Sequence, residues 1–335
     1  MNSQLDFIDK PLTVKDPPDF KVVSTFAGCG GSSTGYVWAG GKVLLAVEWD
    51  DNAVATYKLN YPDTPVYHGD IAKLSVDECL RLTGLQPGEL DIFDGSPPCQ
   101  GFSTAGKRRI DDPRNQLFRE YVRLLRGLRP KVFVMENVSG MVKGKMKLIF
   151  AEILRELKAS GYVVSARLMN AMYFGVPQSR ERMIFIGVRD DLGIVPTHPR
   201  GVMRPIVFKD AIAGCAAEPR LAHSERITYY WPRLKPGQSI ADVHPKKSGF
   251  TTVKVDPSRV CPTITKTWTA GSGLMHPTEP RFLSDAEVKR IGSFPDAYQF
   301  AGNSSDVLQR IGNSVPPRFM MAIAEHIRDH ILSKC

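Results

Sequence analysis

Short apolar runs alternate, from Lys21 to Arg189, with longer stretches in which apolar residues recur every three or four positions. The runs predict strands at 21–26, 43–48, 90–94, 132–136, 162–169 and 183–188. The stretches between them predict helices at 32–39, 51–59, 116–128 and 145–160. In the last of these Met146, Ile149, Ile153 and Leu157 share one face, and Gly161 supplies the stop. Strands alternating with helices imply βαβ units, and so an α/β fold with a mostly parallel, doubly wound sheet covered on both faces.

After Asp190 the pattern changes. Residues 191–280 are rich in Pro, Gly and Thr, with short uneven apolar runs, and read as a smaller, irregular, partly β domain. Helical spacing returns at 284–292, where Ser284 and Glu287 stand at capping-box distance, and again at 317–332. Residues 1–19 mix Asp, Lys and Pro without the apolar core of a secretory signal and read as a loose polar leader. The expected division is therefore leader 1–19, a discontinuous main domain of 20–190 plus 300–335, and a second domain with its connecting segment at 191–299.

Composition narrows the class. No run of 18 apolar residues occurs, so no membrane span is expected. Six cysteines (29, 79, 99, 215, 261 and 335) form no Cys-x-x-Cys pair, which argues against a disulfide framework or a zinc cluster. The seven histidines form no ligand set; His326 and His330 share one helix face, read as solvated, and no metal is predicted. The formal charge is +9, which alone is a weak pointer to a polyanion. Its distribution says more: residues 1–103 hold 7 basic and 14 acidic side chains, and the remainder holds 37 and 21.

The candidate chemistry sits at predicted strand ends. Phe26-Ala27-Gly28-Cys29-Gly30-Gly31 follows the first strand and precedes a helix, so its backbone approaches a ligand closely beside a helix N-terminus. Glu48 ends the second strand, where an acid accepts from ribose hydroxyls, and Gly69-Asp70-Ile71, which would end a further, third strand, places another carboxylate on the rim. The loop lacks the G-x-G-x-x-G spacing of a dinucleotide site and suits another adenosine-bearing cofactor. Asp94-Gly95-Ser96-Pro97-Pro98-Cys99-Gln100-Gly101-Phe102-Ser103 follows the fourth strand and stiffens the chain ahead of a loop cysteine, a position for a thiolate nucleophile. Glu136-Asn137-Val138 ends the fifth. Alternation puts Gln178, Arg180 and Arg182 on one face as donors for a base edge or phosphate. Lys107, Arg108 and Arg109 follow the cysteine loop and suit phosphate contact, whereas the basic residues of 119–129 read as a solvated helix face.

In this order the motifs closely resemble those of bacterial-type cytosine-5 DNA methyltransferases, from about Lys21 to the C-terminus. Phe294-Pro295-Asp296 and Gly312-Asn313-Ser314-Val315 extend the likeness; Ile291-Gly292 departs from the family's usual Leu-Gln. The resemblance implies the S-adenosylmethionine-dependent methyltransferase fold, with 191–280 as target-recognition domain. It implies S-adenosyl-L-methionine as cofactor, bound by Phe26, the backbone of Gly28, Cys29, Gly30 and Gly31, then Glu48, Trp49, Asp70, Ile71, Pro98, Leu117, Asn313 and Val315. It implies catalysis by Cys99 attacking C6 of a flipped cytosine, Glu136 stabilising N3, Arg182 donating to O2 and Arg180 organising the site. Gln100, Ser103, Gln178, Thr263 and Ile264 would join Lys107, Arg108 and Arg109 at DNA. The implied enzyme is a monomeric, cytoplasmic prokaryotic protein acting on a short duplex sequence, either with a separate cognate restriction endonuclease or as a solitary methylase. Two alternatives stand beside it: an RNA cytosine-5 methyltransferase on the same scaffold, and a non-catalytic DNA-binding regulator. A nicotinamide dehydrogenase fits neither the glycine loop nor the setting of Cys99.

Overall fold

The computed structural model describes residues 5–98, 116–142, 146–215, 225–266 and 273–335. Two compact units result: a sheet unit of Leu12–Met169, Glu181–Arg200 and Met320–Cys335, and a second unit of Met1–Pro11, Asn170–Arg180 and Gly201–Phe319.

Seven strands build the sheet: β1 (Phe20–Thr25), β2 (Gly41–Glu48), β3 (Val66–His68), β4 (Ile92–Gly95), β5 (Val132–Val138), β6 (Tyr162–Asn170) and β7 (Glu181–Arg189). Their order is β3-β2-β1-β4-β5-β7-β6. The first five run parallel, while β7 pairs antiparallel with β5 from Val132↔Val188 to Val138↔Arg182. The parallel strands are therefore followed by loops on one edge, where open α/β sheets hold ligands.

The helices α1 (Gly31–Trp38), α2 (Asp51–Asn60), α3 (Val76–Thr83), α4 (Gln116–Leu128) and α5 (Met146–Lys158) belong to the sheet unit. Each starts and stops for a local reason. Asp50 caps α2 by accepting from Ala53 N at 2.9 Å, and Ser75 caps α3 by accepting from Glu78 N at 3.0 Å. Gly84, at φ +69°, ends α3 in the left-handed conformation that glycine tolerates. Val23, Leu45, Phe93, Phe133 and Phe185 are buried in one core with Tyr121 and Leu125 of α4 and Ile153 and Leu157 of α5. Phe93 stacks on Tyr121 at 4.8 Å between centroids, and Phe133 meets Tyr162 edge-on at 5.2 Å. Each such burial contributes about 1.5–3 kcal/mol, which is what holds the strand ends in place.

The second unit holds α6 (Phe208–Ala211), α7 (Glu225–Tyr230), α8 (Ile240–Val243), α9 (Asp285–Ile291) and α10 (Ser304–Asn313), with a parallel pair, β8 (Val253–Lys254) and β9 (Leu274–Met275). Ile227, Leu234, Ile240, Met275 and Phe282 form its small core. The Ser284–Glu287 capping box opens α9 as its spacing predicts, and Glu287 also takes both terminal nitrogens of buried Arg281 at 2.8 Å. The closing helix α11 (Pro317–His330) runs from this unit into the sheet unit, where Arg328 Nη1 donates to Ala39 O at 2.6 Å.

The six strands and six helices expected from periodicity are present, with ends shifted by a few residues. The sequence pattern missed α3 and α10, both short and strongly capped. The leader needs correction. Phe7 is fully buried, Asp296 N donates to Ile8 O at 2.9 Å, and Asp6 pairs with Arg318. The apolar residues of this stretch are scattered among Asp, Lys and Pro, so nothing in the sequence singles out Phe7 for burial. Residues 170–180 and 300–319 also group with the second unit rather than with the main domain to which the sequence division assigned them.

Candidate active site

The turn after β1 is shaped by three left-handed residues: Phe26 at φ +54°, Gly28 at +56° and Gly30 at +92°. A non-glycine residue there costs roughly 1–2 kcal/mol, so surrounding contacts must hold Phe26 in place. They do so through the end of β2. Ala27 N donates to Val47 O at 3.1 Å, and Gly28 N donates to Glu48 Oε2 at 2.7 Å. Glu48 Oε1 accepts from Trp49 N at 2.8 Å and Asp50 N at 3.0 Å. Glu48 thus ties the glycine turn to the start of α2, and its two oxygens keep acceptor capacity beyond these three bonds.

Beside this turn lies a cavity of about 350 Å³, lined by Phe26, Val47, Glu48, Trp49, Gly69, Asp70, Ile71, Pro98 and Leu117. Its walls are mostly apolar, with two carboxylates at the rim, and Trp49 stands 75% exposed at its edge. Asp70 Oδ1 accepts from Ala72 N at 2.9 Å. Seven of the residues expected at the cofactor, Phe26, Glu48, Trp49, Asp70, Ile71, Pro98 and Leu117, therefore meet at one cavity. Cys29 is buried in the adjoining turn, and Gly31 begins α1. Asn313 and Val315 lie in the second unit, exposed and buried respectively.

The adjacent strand ends carry the polar groups. β4 leads into Pro97 and Pro98; Cys99, Gln100, Ser103, Lys107, Arg108 and Arg109 lie outside the described residues. Glu136 of β5 stands opposite Ile184 of β7, so Arg182, two residues away, shares its face. Arg182 Nε is 2.5 Å from Glu136 Oε1, and both side chains are nearly buried. Next to Glu136, Asn137 donates from Nδ2 to Pro97 O at 3.1 Å and accepts Val138 N on Oδ1 at 2.9 Å. That bond fixes the chain two residues before Cys99 to the end of β5. Asp94 lies deeper, with its carboxylate accepting from Ser24 Oγ at 2.9 Å and Tyr36 Oη at 3.1 Å. Burial pushes its carboxyl up to about 7; the two hydrogen bonds act against that shift, and the Glu136 charge adds to it.

In the second unit, Arg180 is buried and donates to Ile264 O at 3.0 Å and Gly312 O at 2.8 Å. A Cβ on Gly312 would stand 2.6 Å from Lys266 N, so glycine lets these two backbones meet. Gln178 corrects the expectation of an outward row of donors. It is buried, its Oε1 accepts from Ile264 N at 3.0 Å, and β7 begins only at Glu181, so strand alternation does not reach back to it. Thr263 Oγ1 donates to Ser179 O at 2.5 Å and Ile264 is fully buried. These four residues, 178, 180, 263 and 264, lock two segments of their own unit together rather than facing outward.

Sequence reasoning passed over Asn137 and Asp94, although both lie inside quoted motifs. It also passed over an open cleft of the second unit that holds Arg226, Tyr229, Arg233 and His244. There the Arg233 guanidinium lies 3.9 Å above the ring of Tyr229, which is 56% exposed. The run Thr228-Tyr229-Tyr230-Trp231-Pro232-Arg233 was its available signal.

A family model of C-5 cytosine-specific DNA methylases matches residues 20–329. The chain belongs to that family. Among its relatives, the Type II methyltransferase M1.HphI of Haemophilus parahaemolyticus is 34% identical, over 91% of this chain and 86% of its own. The Type II methyltransferase M.XorII of Xanthomonas oryzae is 31% identical, over 93% and 85%. A prophage-encoded E. coli protein, described as a putative DNA modification methyltransferase, superposes with a TM-score of 0.75 at 25% identity, over 92% of this chain and 98% of that one. The Dnmt2 methyltransferase of S. pombe shares the fold, with a TM-score of 0.64 at 19% identity. The methylase is thus an enzyme of the cytosine-5 class, acting on DNA. Among its described residues no helix is long and apolar enough to cross a membrane.

Proposed function

We propose that the methylase takes its methyl group from S-adenosyl-L-methionine and transfers it to C5 of a cytosine flipped out of a short duplex sequence. The observation that carries this reading is the Glu136–Arg182 pair at adjacent strand ends, with Asn137 next to it holding Pro97, two residues before Cys99 in the chain. The 350 Å³ cavity fits the cofactor: Phe26, Trp49, Ile71, Pro98 and Leu117 would enclose the adenine, with Glu48 accepting from the ribose hydroxyls and Asp70 from the adenine amine. The Gly28–Gly31 backbone would face the methionine portion. When bound, the sulfonium supplies an electrophilic methyl group.

The protein's part is to make C5 nucleophilic. The Cys99 thiolate adds to C6, and the C5–C6 π electrons become available at C5. Charge moves toward N3, where Glu136 stabilises it, while Arg182 donates to O2. After methylation a base removes the C5 proton, the double bond re-forms and Cys99 leaves as thiolate. A stacked, paired cytosine is closed to this attack, so the base must leave the helix at a cost of a few kcal/mol. Gln100 and Ser103 would close over it, and Lys107, Arg108 and Arg109 would offset part of the cost through phosphates. Arg180, Thr263 and Ile264 brace the segment that leads into Arg182. The open cleft around Tyr229 and Arg233 supports sequence reading by the second unit, since a stacked arginine suits a guanine edge. The Type II relatives support a place in a restriction–modification pair.

The test is a duplex pool in which 5-fluorocytosine replaces cytosine, because fluorine at C5 blocks the final elimination. The wild type should form a denaturation-resistant adduct and Cys99→Ser should not. A wild-type chain that binds the cofactor yet traps no such duplex would refute the covalent route.

A further inference from the structure

The i, i+4 pair His326 and His330 of α11 does more than face solvent. In the sheet unit it walls a cleft of about 700 Å³, together with Ser165 and Arg167 of β6 and with Thr197, His198 and Arg200 of the segment after β7. This cleft shares no lining residue with the cofactor cavity.

Among the described residues no carboxylate lines it. Two guanidiniums and three imidazoles therefore share one space without a counter-charge in its walls. The imidazoles respond to that environment. Burial lowers His198 to about 4, against its bond to Ser165, with the charges of Arg167 and His326 adding to the shift. Burial, then repulsion from His330, lowers His326 as well. Asp329 and Glu325 are the acids on this part of α11, and Asp329 is held by Arg328 at 2.7 and 3.1 Å; Lys334 adds positive charge.

Hydroxyls orient the rings. Thr197 Oγ1 lies 2.8 Å from His326 Nε2, and Ser165 Oγ lies 3.2 Å from His198 Nε2. The other ring nitrogen of His198, Nδ1, is buried with no hydrogen-bond partner among the described residues. Among those residues no cluster of three His, Cys, Asp or Glu side chains could hold a metal ion, so the histidines here are not a cation site.

We propose that this cleft binds a phosphate group, either as the free ion or as a phosphodiester of the DNA backbone. Arginine forks match phosphate oxygens, and neutral imidazoles donate N–H bonds to them. The bound anion supplies the missing counter-charge. His198 and His326 then take up protons, so binding tightens as pH falls toward 6. The inference stands apart from the methyl-transfer proposal, because its first test needs neither cytosine nor cofactor.

Titration calorimetry of the full chain with inorganic phosphate near pH 6.5, in two buffers of different ionisation enthalpy, reads affinity and proton uptake together. The expected result is a saturable site with net proton uptake. The Arg167→Gln/Arg200→Gln double variant should bind at least tenfold more weakly. His326→Gln should bind with less proton uptake. A second arm compares duplexes of about 12 and about 30 base pairs. If the phosphate comes from DNA, the double variant loses affinity for the longer duplex alone, and its salt slope falls by about one per lost contact. If it is the free ion, duplex binding is unchanged while the phosphate titration responds. Either pattern sustains the site. Equal phosphate affinity in the wild type and both variants, with unchanged duplex binding, overturns it.

Discussion

Burial holds the Asp94 carboxyl up to about 7, well above the ordinary carboxylate range, although it lies only five residues before Cys99. The sign of its effect on stability follows directly. Between about pH 4 and pH 7 the folded chain keeps a proton that the unfolded chain has released, so this group's contribution falls as pH rises through that window. Asn at this position cannot ionise yet still bonds to Ser24 and Tyr36. Asp94→Asn should therefore gain on the wild type between pH 5 and pH 8, by an amount on the order of 3 kcal/mol at most. Urea unfolding of both proteins at the two pH values measures it, and an identical difference at both would contradict the assignment. The strand ends carrying Glu48, Glu136 and Arg182 are legible in sequence because each closes an apolar run. Asp94 and Asn137 are not, because their importance lies in partners about 60 and 40 residues away.

Elements aim these residues, and glycine decides how closely two of them approach. At the end of β4, a Cβ on Gly95 would stand 2.5 Å from Thr25 Oγ1 and 2.6 Å from the Tyr121 ring. Gly95→Ala must push β4 away from β1 or α4, just before the cysteine loop. A loss of about 1–3 kcal/mol is expected, with a larger fall in methyl transfer than in cofactor binding. Calorimetric melting and single-turnover assays separate the two. On α7, Tyr229 holds the Arg233 guanidinium flat. Tyr229→Ala and Arg233→Ala should relax sequence preference at one base pair by about 5- to 150-fold. Selection from a random duplex pool tests this without turnover; an unchanged preferred sequence in both variants would count against it. Most strands and helices of the sheet unit are legible from periodicity here. The end of the alternation at Gln178 is not, because a turn and a strand of alternating residues look alike over three positions.

The charge asymmetry is legible in composition: the acidic first 103 residues fall largely in the sheet unit, and the basic remainder includes most of the second. How the chain partitions is less legible, because residues 5–11 and 170–180 join 201–319 through contacts between distant segments. Phe7 shows the cost of that blindness. It has no exposed surface, and Phe7→Ala should weaken the second unit by about 3–5 kcal/mol, visible as an earlier urea transition. Trp49 has the opposite character. Its indole walls the 350 Å³ cavity while most of its surface meets water. A planar ligand entering there must cover it, so the chain carries its own optical gauge. Adding S-adenosylmethionine should shift or quench emission in the wild type and leave Trp49→Phe unchanged. Occupancy then becomes readable without DNA, label or turnover, which separates a variant that cannot bind from one that cannot react.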